Sequence, residues 1–579
     1  MTLRNASLLA VFLAAAFGAL AQEPDPPSRV ARLNYLVGSV SFRPGTVEEW
    51  SAASLNYPLT IGDHLWTDPG ARTEMHIGST AIRMGSQTAL AFLNLDDRAV
   101  QLSLTQGSMQ IRVSELPGDE SYEVDTPNVA ITILRAGSYR IDADGQSNTT
   151  VVSVLAGDVS VTGGGIAVPV HANQAARLAG VEQVSYEMSG LPQADEFDNW
   201  CDGRDRAEQN IRSTRYVPAS MTGYEDLDRY GTWRDEPGYG PVWMPAGMGP
   251  GWAPYRYGHW VWIEPWGWTW VDDAPWGFAP FHYGRWAMVG GGWVWVPGPR
   301  PVMRPVYAPA LVVFVGGARF GGSAVWFPLG PREAFRPQYR VSTVYYQNLN
   351  GPSYVAAARY SNQGIAGAVT AVRVSDFASG RSITRVSINV DVREVSRAPV
   401  AGFAAPVQPV RESRLAGPIR PAPRVVEREV VVRTAPPAPR GLNGAAAPRA
   451  PMVRMAPPAR QMPSAGSYSP QNGGRDERPR RFGDSSTPAQ PGRFEQPNAP
   501  RVNDRPTQAY PQGRFEQPRQ TEQPRTVQPP QQRTAEPARR VEPQHTEAAP
   551  AVHRQENQPK RDERHEQRRT DHREDKKQQ

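Results

Sequence analysis

The chain has 579 residues, a formal net charge of +6 and a single cysteine. This length allows two to four domains, and the single cysteine excludes an intramolecular disulfide. The charge is unevenly divided, because residues 401–579 carry 32 Lys and Arg against 20 Asp and Glu, together with 29 of the 58 prolines. An acidic body, residues 1–400, is therefore followed by a basic tail whose composition does not favour a core of its own.

The N-terminal residues have the pattern of a secretory signal peptide. An apolar run begins at Leu8 and ends in small residues at Ala19 and Ala21, which predicts a signal peptide over residues 1–21 with cleavage before Gln22. The run is shorter than the roughly 20 apolar residues that span a bilayer, and no later segment is longer. We therefore expect an exported protein, in the periplasm or at the cell surface, without a transmembrane segment after cleavage.

Residues 22–188 are predicted to form an all-β domain. Apolar and polar residues alternate in short runs that glycines separate. The clearest runs are Met75 and Ile77; Val100, Leu102 and Leu104; and Met109, Ile111 and Val113. Strands with one apolar face favour a roll or sandwich in which two sheets cover a common core.

The same segment resembles the FecR domain of bacterial envelope proteins. The resemblance rests on the Gly-Asp element within Ile61 to Thr73 and on Thr126-Pro127, Gly137-Ser138-Tyr139 and Gly157-Asp158-Val159. It implies the fold of an extracytoplasmic β-domain. The members that gave the family its name relay a signal from an outer-membrane receptor to a sigma factor through a membrane span and a cytoplasmic segment. Since this sequence shows neither of those parts, the relay itself is not implied.

A short amphipathic helix is predicted over residues 195–213, between the first domain and the next. It contains Cys201, for which two roles remain open. The residue is either a buried small apolar side chain or a thiol that is reactive or forms an intermolecular bridge.

Residues 216–345 contain an internal repeat. A Tyr-Gly-x-Trp core begins at Tyr230, Tyr257 and Tyr283. Each copy is followed about ten residues later by a second aromatic stretch, at Val242-Trp243, Trp268 to Trp270 and Trp293 to Trp295. Each copy is expected to form a strand, a Gly/Pro turn and a second strand. Because two strands cannot bury an apolar face alone, the copies should stack into a compact sheet or small barrel.

This Trp-rich segment is similar to a bacterial domain of unknown function, DUF6600. The motifs that carry the resemblance are GYEDLD, APFHYGRW and VWFPLGPREAFRPQY. That family has no assigned activity, so the resemblance identifies the domain without explaining it.

The concentration of tryptophan has two interpretations. Fourteen of the 16 tryptophans lie between Trp200 and Trp326. Aromatic pairs across strands would stabilise a small sheet, each by roughly 0.2–1 kcal/mol. Alternatively, surplus rings remain exposed as a platform for sugar rings or for proline-rich or cationic peptides. The candidate surface consists of Trp260, Trp262, Trp266, Trp268, Trp270, Trp293 and Trp295, with His259 and Arg285 among the flanking polar residues.

No catalytic, cofactor or metal site is predicted. Asp272 and Asp273 are adjacent, so on a strand they point to opposite faces, which is poor geometry for an acid and base pair. In a turn, which Asp-Asp-Ala-Pro favours, they would instead hydrogen-bond to the local backbone. His259 and His282 occupy nearly equivalent repeat positions, with no further metal ligand at a suitable spacing. The motifs of serine hydrolases, zinc proteases and nucleotide-binding loops do not occur in the sequence. We therefore expect a protein that is not an enzyme.

Residues 346–398 are expected to pack on the Trp-rich domain, and residues 399–579 to form a disordered tail rich in Pro, Arg and Gln. The tail contains the hexapeptide GRFEQP twice, at Gly492–Pro497 and Gly513–Pro518. Export argues against a nucleic-acid partner. Anionic surfaces would suit the charge of the tail, whether lipopolysaccharide, phospholipid headgroups, anionic polysaccharide or the acidic body of the same chain. A passive spacer is the alternative.

These features favour a mainly β envelope protein that acts as an interaction or scaffolding module. Envelope polysaccharide, peptidoglycan or another envelope protein is the candidate partner. The alternative is a FecR-type extracytoplasmic sensory module that passes a signal to a separate membrane partner. The exposure of the candidate tryptophans decides whether the first hypothesis has a surface to act through.

Overall fold

The computed structural model describes residues 24–298, 304–424, 427–439 and 447–458. The predicted signal peptide and the tail beyond residue 458 lie outside these ranges. All described residues belong to one compact unit, Met1–Gln471, and the second unit, Asn472–Gln579, falls outside the description. The chain is mainly β, as predicted. Within the described ranges, none of the helices combines the length and the apolar character needed to cross a membrane.

Residues 24–190 form seventeen strands. They are β1 (Ala31–Val37), β2 (Val40–Arg43), β3 (Ser51–Ala52), β4 (Pro58–Leu59), β5 (His64–Thr67), β6 (Arg72–Ile77), β7 (Thr80–Met84), β8 (Ala89–Leu95), β9 (Ala99–Val113), β10 (Ser121–Asp125), β11 (Ala130–Ile133), β12 (Gly137–Asp144), β13 (Thr149–Ala156), β14 (Asp158–Gly163), β15 (Ile166–His171), β16 (Gln174–Ala179) and β17 (Ser185–Gly190).

The long strand β9 joins two sheets into the predicted roll or sandwich. Its C-terminal half pairs with β7 and β12 in a sheet ordered β4-β1-β6-β7-β9-β12-β13-β16-β17. Its N-terminal half pairs with β8 and, in parallel, with β10 in a sheet ordered β3-β2-β5-β8-β9-β10-β11-β14-β15. The two sheets cover a common core.

Gly107 allows β9 to pass from one sheet to the other. Its φ is +92°, and a Cβ at this position would lie 2.4 Å from the hydroxyl oxygen of Thr88. The buried apolar positions change from even numbers, such as Leu104, to odd numbers, such as Met109, across this glycine. The change of parity keeps the apolar side chains of both halves on the core.

Helix α1 (Glu196–Ala207) follows the sandwich. Asp195 caps it by accepting hydrogen bonds from the backbone N–H groups of Phe197 and Asp198, and Asp198 completes a capping box. The α-helix is shorter than the predicted 195–213, and a 3₁₀ turn at Arg212–Arg215 occupies the end of that range. Cys201 is buried, and burial raises the pKa of its thiol.

The three repeat copies form three β-hairpins, as predicted. They are β18 (Gly231–Glu236) with β19 (Gly240–Pro245), β20 (Gly258–Ile263) with β21 (Gly267–Asp272), and β22 (Arg285–Val289) with β23 (Gly292–Val296). Short helices α2 (Leu227–Tyr230) and α3 (Ala279–His282) precede the first and third hairpins. The expectation of a single stack was wrong. The outer hairpins join through the pair Trp243 and Trp295, while the middle hairpin forms a sheet of its own.

A further four-stranded sheet completes the Trp-rich part. Its order is β26-β25-β24-β27, and all its pairs are antiparallel. The strands are β24 (Val312–Val315), β25 (Ser323–Pro328), β26 (Thr370–Arg373) and β27 (Val400–Gly402). The accompanying helices are α4 (Thr343–Asn350), α5 (Val374–Ala378), α6 (Ile383–Val386) and α7 (Val392–Arg397). Residues 346–398 are therefore built into this part through β26.

The predicted start of the tail at residue 399 is too early. Strand β27 belongs to the last sheet, and β28 (Val430–Val432) pairs in parallel with β29 (Val453–Met455). The side chains of Val430 and Val432 are buried against Leu93 of the sandwich. The tail is rich in Pro and Arg on average, but it contains a short apolar run at Val430–Val432. This run is long enough to pack on the sandwich.

The FecR-like and Trp-rich parts pack against each other around one continuous core. Asn56 of the sandwich donates hydrogen bonds to the carbonyl oxygens of Asp272 and Ala274, at 2.8 and 2.7 Å. The backbone N–H of Tyr307 in turn donates to the carbonyl oxygen of Ser28 at 2.8 Å. The predicted domains thus form a single folded body.

Candidate functional site

The tryptophans of the repeat pair with one another across each hairpin. The Trp of every Tyr-Gly-x-Trp core is the cross-strand partner of the Trp in the following strand, in the pairs Trp233 and Trp243, Trp260 and Trp270, and Trp286 and Trp295. In the middle pair the ring centroids are 5.4 Å apart in an edge-to-face arrangement. The repeat therefore encodes an aromatic pair that is typical of sheet stabilisation.

The predicted open platform of tryptophans is not present. Six of the seven candidate rings, all except Trp262, are at most 6% exposed. All 16 tryptophans of the chain lie in the described ranges, and there each of them is buried or half-buried. Two of these rings are covered by a residue that the repeat does not predict, since Phe377 of α5 contacts the rings of both Trp260 and Trp268.

The polar residues named with the tryptophans lie in separate surroundings. Arg285 is buried and donates to the carbonyl oxygen of Glu333 and to the side-chain oxygen of Asn350. His259 is half-buried, and burial lowers its pKa. His282 donates from its Nδ1–H to the carbonyl oxygen of Ala308, 2.8 Å away, and burial lowers the pKa of its imidazole to about 3.

The adjacent aspartates face opposite ways, as expected. Asp272 is buried, accepts hydrogen bonds from the indole of Trp270 and the backbone N–H of Ala274, and has a pKa raised by burial. Asp273 is exposed. Asp272 thus fixes the turn after β21 and is unsuited to act with its neighbour.

The half-buried Trp262 lines a cleft between the sandwich, the middle hairpin and a proline-rich stretch of the chain. The cleft has a volume of about 450 Å³, and we call it the acidic cleft. Its apolar walls include Tyr57, Leu95 and Ile263, with prolines from four separate segments. The described residues that line it include four carboxylates and no Lys, Arg or His side chain; the carboxylates are Asp25, Asp63, Asp96 and Glu264. Such a cleft suits a ligand that carries both a cation and an apolar group.

Glu264 already holds one guanidinium at this cleft. Its carboxylate accepts a hydrogen bond from the indole of Trp262 at 2.8 Å and forms an ion pair with Arg414 at 2.9 Å. Deeper in the cleft, Asp63 is buried and accepts from the backbone N–H groups of Thr60 and Gly45. Burial raises the pKa of Asp63 to about 7.

Arg414 belongs to a segment that crosses the acidic body, which we call the strap. It comprises residues 405–424, 427–439 and 447–458. Ion pairs join Arg411 to Glu49 and Arg454 to Glu182, and the backbone N–H of Val431 donates to the carbonyl oxygen of Thr126 at 2.9 Å. Basic, proline-rich chain is thus held by charge, by buried valines and by backbone hydrogen bonds.

A second polar cluster lies where the sandwich, α1 and the Trp-rich part meet, and we call it the junction network. It contains five carboxylates, four arginines and one histidine within direct ion-pair distance of each other: Glu74, Asp205, Glu208, Glu225, Asp226, Arg32, Arg83, Arg112, Arg204 and His76. When His76 is protonated, the five positive side chains balance the five carboxylates.

His76 is the centre of this network. Its Nε2 lies 3.2 Å from carboxylate oxygens of both Glu74 and Glu208, and its Nδ1 lies 3.3 Å from Glu225. Burial alone would lower the pKa of His76, but Glu208 and Glu225 outweigh it and raise the pKa to about 10. Arg32 extends the network, since it contacts Glu225 at 3.0 Å and donates to the carbonyl oxygen of Pro275. The network therefore fastens the two parts together.

Glu74, His76 and Glu208 also place their ligand atoms within 4.8 Å of one another, close enough for a metal ion. Both oxygens of Glu74 already accept short hydrogen bonds, from Arg83 at 2.6 Å and Arg204 at 2.6 Å. A cation would have to displace these guanidinium groups and would meet their positive charge. The donor set is therefore better suited to the ion pairs that occupy it.

Neither the acidic cleft nor the junction network was predicted from the sequence. One signal was present, because Glu74 and His76 alternate with the core residues Met75 and Ile77 on β6, so two ionisable groups face one side of a strand. Their partners come from α1 and from Glu225, which are more than 100 residues away. Only the tertiary structure brings them together.

Comparisons with known proteins agree with the predicted domains. Residues 63–160 match the family described as FecR protein, and residues 224–333 match the family of unknown function DUF6600. No curated protein matches the chain. Two solved structures titled as a "putative anti-sigma factor from Parabacteroides distasonis ATCC 8503", at 2.50 and 1.65 Å resolution, are similar at 14% and 13% identity with TM-scores of 0.21 and 0.22. Each match covers 24% of this chain and 64% or 65% of the solved chain, which is under two thirds of its length.

Proposed function

We propose that this protein is a non-catalytic, exported module of the bacterial cell envelope that acts as a FecR-type sensory input by binding other polypeptides. The FecR match over residues 63–160 supports this class. The sandwich and the Trp-rich part form one body through the junction network, so a ligand on either part can bias the whole.

One observation supports the proposal, namely that the strap, a segment of the same chain, packs on carboxylates and backbone groups of the body. The strap is basic and proline-rich, and it is held there by Arg414 on Glu264 and by the hydrogen bond from Val431 to Thr126. A surface that holds one such segment through charges and backbone groups suits a partner of the same chemistry. A partner protein in the membrane would complete the relay.

Envelope polysaccharide is the second candidate ligand, and one groove favours it. Half-buried Trp252 and buried Trp293 line a groove of about 450 Å³, with Met248 and Met288 beside them. Indole faces stack on sugar rings, but the groove has no charged side chain in its lining to orient hydroxyl groups. The peptide-binding function therefore has the stronger support.

Deletion of the gene in the host bacterium tests the proposal. A sensory input predicts that a restricted set of transcripts changes on deletion, and that the wild-type chain restores it. Trp262→Ala should fail to restore it, while Trp252→Ala, a matched change in the other groove, should succeed. An unchanged transcript profile under growth and envelope stress would contradict the sensory role. Restoration that depends on Trp252, together with a Trp fluorescence shift on added envelope polysaccharide, would favour the second candidate.

A further inference from the structure

We propose that strand β17 is a dimerisation edge, at which two copies of this chain pair through backbone hydrogen bonds. The β17 strand of a second copy adds antiparallel to that of the first, so that one sheet continues from one molecule into the other. Such an assembly goes beyond the proposed sensory function and does not depend on it.

The edge of the sheet at β17 is open along its whole length. On one side β17 pairs with β16, from Gln174 opposite Gly190 to Ala179 opposite Ser185. No other strand in the described ranges pairs with its second side, and all six of its residues are exposed. Every second residue of the strand therefore directs its backbone N–H and C=O groups away from the sheet, where another strand can bind them.

The other three edges of the sandwich are closed to strand addition. Strand β4 has two residues, both buried, and begins with Pro58. Strand β3 also has two residues, and the strap covers it, since the backbone N–H of Ala52 donates to the carbonyl oxygen of Pro418 at 2.8 Å. Strand β15 contains Pro169, which has no N–H to donate. By contrast, β17 is six residues long and contains neither proline nor lysine, the residues that commonly protect an edge.

Two apolar side chains of β17 continue the core face of its sheet into solvent. Tyr186 lies opposite Leu178 of β16, and Met188 lies opposite Ala176. Residues directly opposite each other share a face, and both residues of β16 are fully buried in the core. Tyr186 and Met188 are nevertheless 47% and 39% exposed. They form an apolar strip beside an open row of backbone groups, a combination typical of an interaction site.

The order of these side chains favours a second copy as the occupant. When Glu187 lies on the two-fold axis of an antiparallel pair, Tyr186 of each molecule is opposite Met188 of the other. Contacts between a thioether and an aromatic ring are favourable, and this register forms two of them. The strand is therefore complementary to itself, as a two-fold symmetric interface requires.

The charges on the opposite face are balanced in the same register. Glu187 lies opposite Arg177 of β16, and both residues are exposed. Across the four strands of the dimer the order becomes Arg177, Glu187, Glu187 and Arg177. The two carboxylates at the centre are thus flanked by two guanidinium groups, which offset the repulsion between them.

Sedimentation velocity of the full chain measures the assembly. A single pair of six-residue strands is small beside the roughly 1,200–2,000 Å² of a stable interface, so we expect a monomer–dimer equilibrium with a dissociation constant in the micromolar range. Replacement of both Tyr186 and Met188 by lysine should raise this constant at least tenfold, because lysines on an edge oppose strand pairing. Leu134→Lys is the matched control at another exposed position of the sandwich, and it should leave the constant unchanged. Circular dichroism verifies that each variant is folded.

Cysteine cross-linking tests the register. Opposite residues of antiparallel strands have Cα atoms about 4.5–5.5 Å apart, which lies within the range of about 4.4–6.8 Å for a disulfide. Glu187→Cys should therefore form a disulfide-linked dimer under mild oxidation. Arg177→Cys, on the same face but one strand further from the axis, should not, and the buried Cys201 should take no part.

Four results would each overturn the dimer. They are a chain that stays monomeric at several hundred micromolar, a dimer that survives the double lysine substitution, a Glu187→Cys chain that does not cross-link, and equal cross-linking by Arg177→Cys. A monomeric chain that instead takes up a strand of another envelope protein at β17 would identify a different occupant and would also overturn it.

Discussion

Replacement of His76 by glutamine should destabilise the body by about 3–5 kcal/mol, because it removes the cation that balances the junction network. The imidazole contacts Glu74, Glu208 and Glu225 within 3.3 Å, and the side chains of these three residues are at most 10% exposed. The shift in the pKa of His76 leads to a destabilisation of similar size. The pKa of His76 is raised from 6.5 to about 10, and each unit corresponds to about 1.4 kcal/mol of preference for the charged form.

The same shift fixes the sign of the pH dependence. Since the pKa in the folded state is higher than in the unfolded state, the folded protein binds the proton more tightly. The contribution of His76 is fully present below about pH 6.5 and is lost as the pH rises through about 10. Over that window the free energy of unfolding should fall by up to about 1.4 kcal/mol per pH unit in the wild-type chain. The His76→Gln variant should lack this component.

Urea unfolding followed by tryptophan fluorescence at pH 6, 8 and 9.5 measures both effects. His171→Gln is the matched control, since His171 also contacts a carboxylate, Asp158 at 2.7 Å, but its side chain is largely exposed. His171→Gln should lower the free energy of unfolding by less than about 1 kcal/mol. Two results together would contradict this role of His76. His76→Gln would lower the free energy of unfolding no more than His171→Gln does, and the wild-type and His76→Gln chains would show the same dependence of stability on pH.

Three other changes probe the remaining elements. Val432→Asp places a charge at a buried contact of the strap and should release the strap from the sandwich. Trypsin should then cleave at Arg433 at least tenfold faster, while the circular dichroism spectrum of the sandwich stays unchanged. Trp270→Ala removes a fully buried ring and should lower the free energy of unfolding by about 3–5 kcal/mol in urea titrations, clearly more than Trp262→Ala at the half-buried position. The thiol of Cys201 should react with a thiol reagent only after denaturant is added, because it is buried and burial raises its pKa; rapid labelling of the folded chain would contradict this.

Much of the local structure follows from sequence pattern alone. Alternation at Val100, Leu102 and Leu104, and then at Met109 and Ile111, predicts strands with one buried face, and the structure places these residues in the core. The Tyr-Gly-x-Trp repeat predicts three hairpins at the positions where they occur. These features depend on period and turn chemistry, which neighbouring residues determine.

The exposure of the tryptophans was decided by tertiary structure. Trp260 and Trp262 share one face of β20, and no local pattern distinguishes them, yet Trp260 is 1% exposed and Trp262 remains half-buried. The difference arises because Phe377, from a segment more than 100 residues later, covers Trp260, whereas Trp262 lies at the edge of the acidic cleft. The burial of a side chain therefore depends on which sequence-distant segments pack on it.

The sequence by itself therefore determined the β-class of the chain, its repeat and its family resemblances, since each of these resides in short stretches of residues. The tertiary structure alone decided how the two parts join, which charges balance around His76, and where Glu264 meets Arg414. These are contacts between residues more than 100 positions apart, and their energies depend on distance and burial. The spacing of residues along the chain specifies neither the distance nor the burial of such a contact.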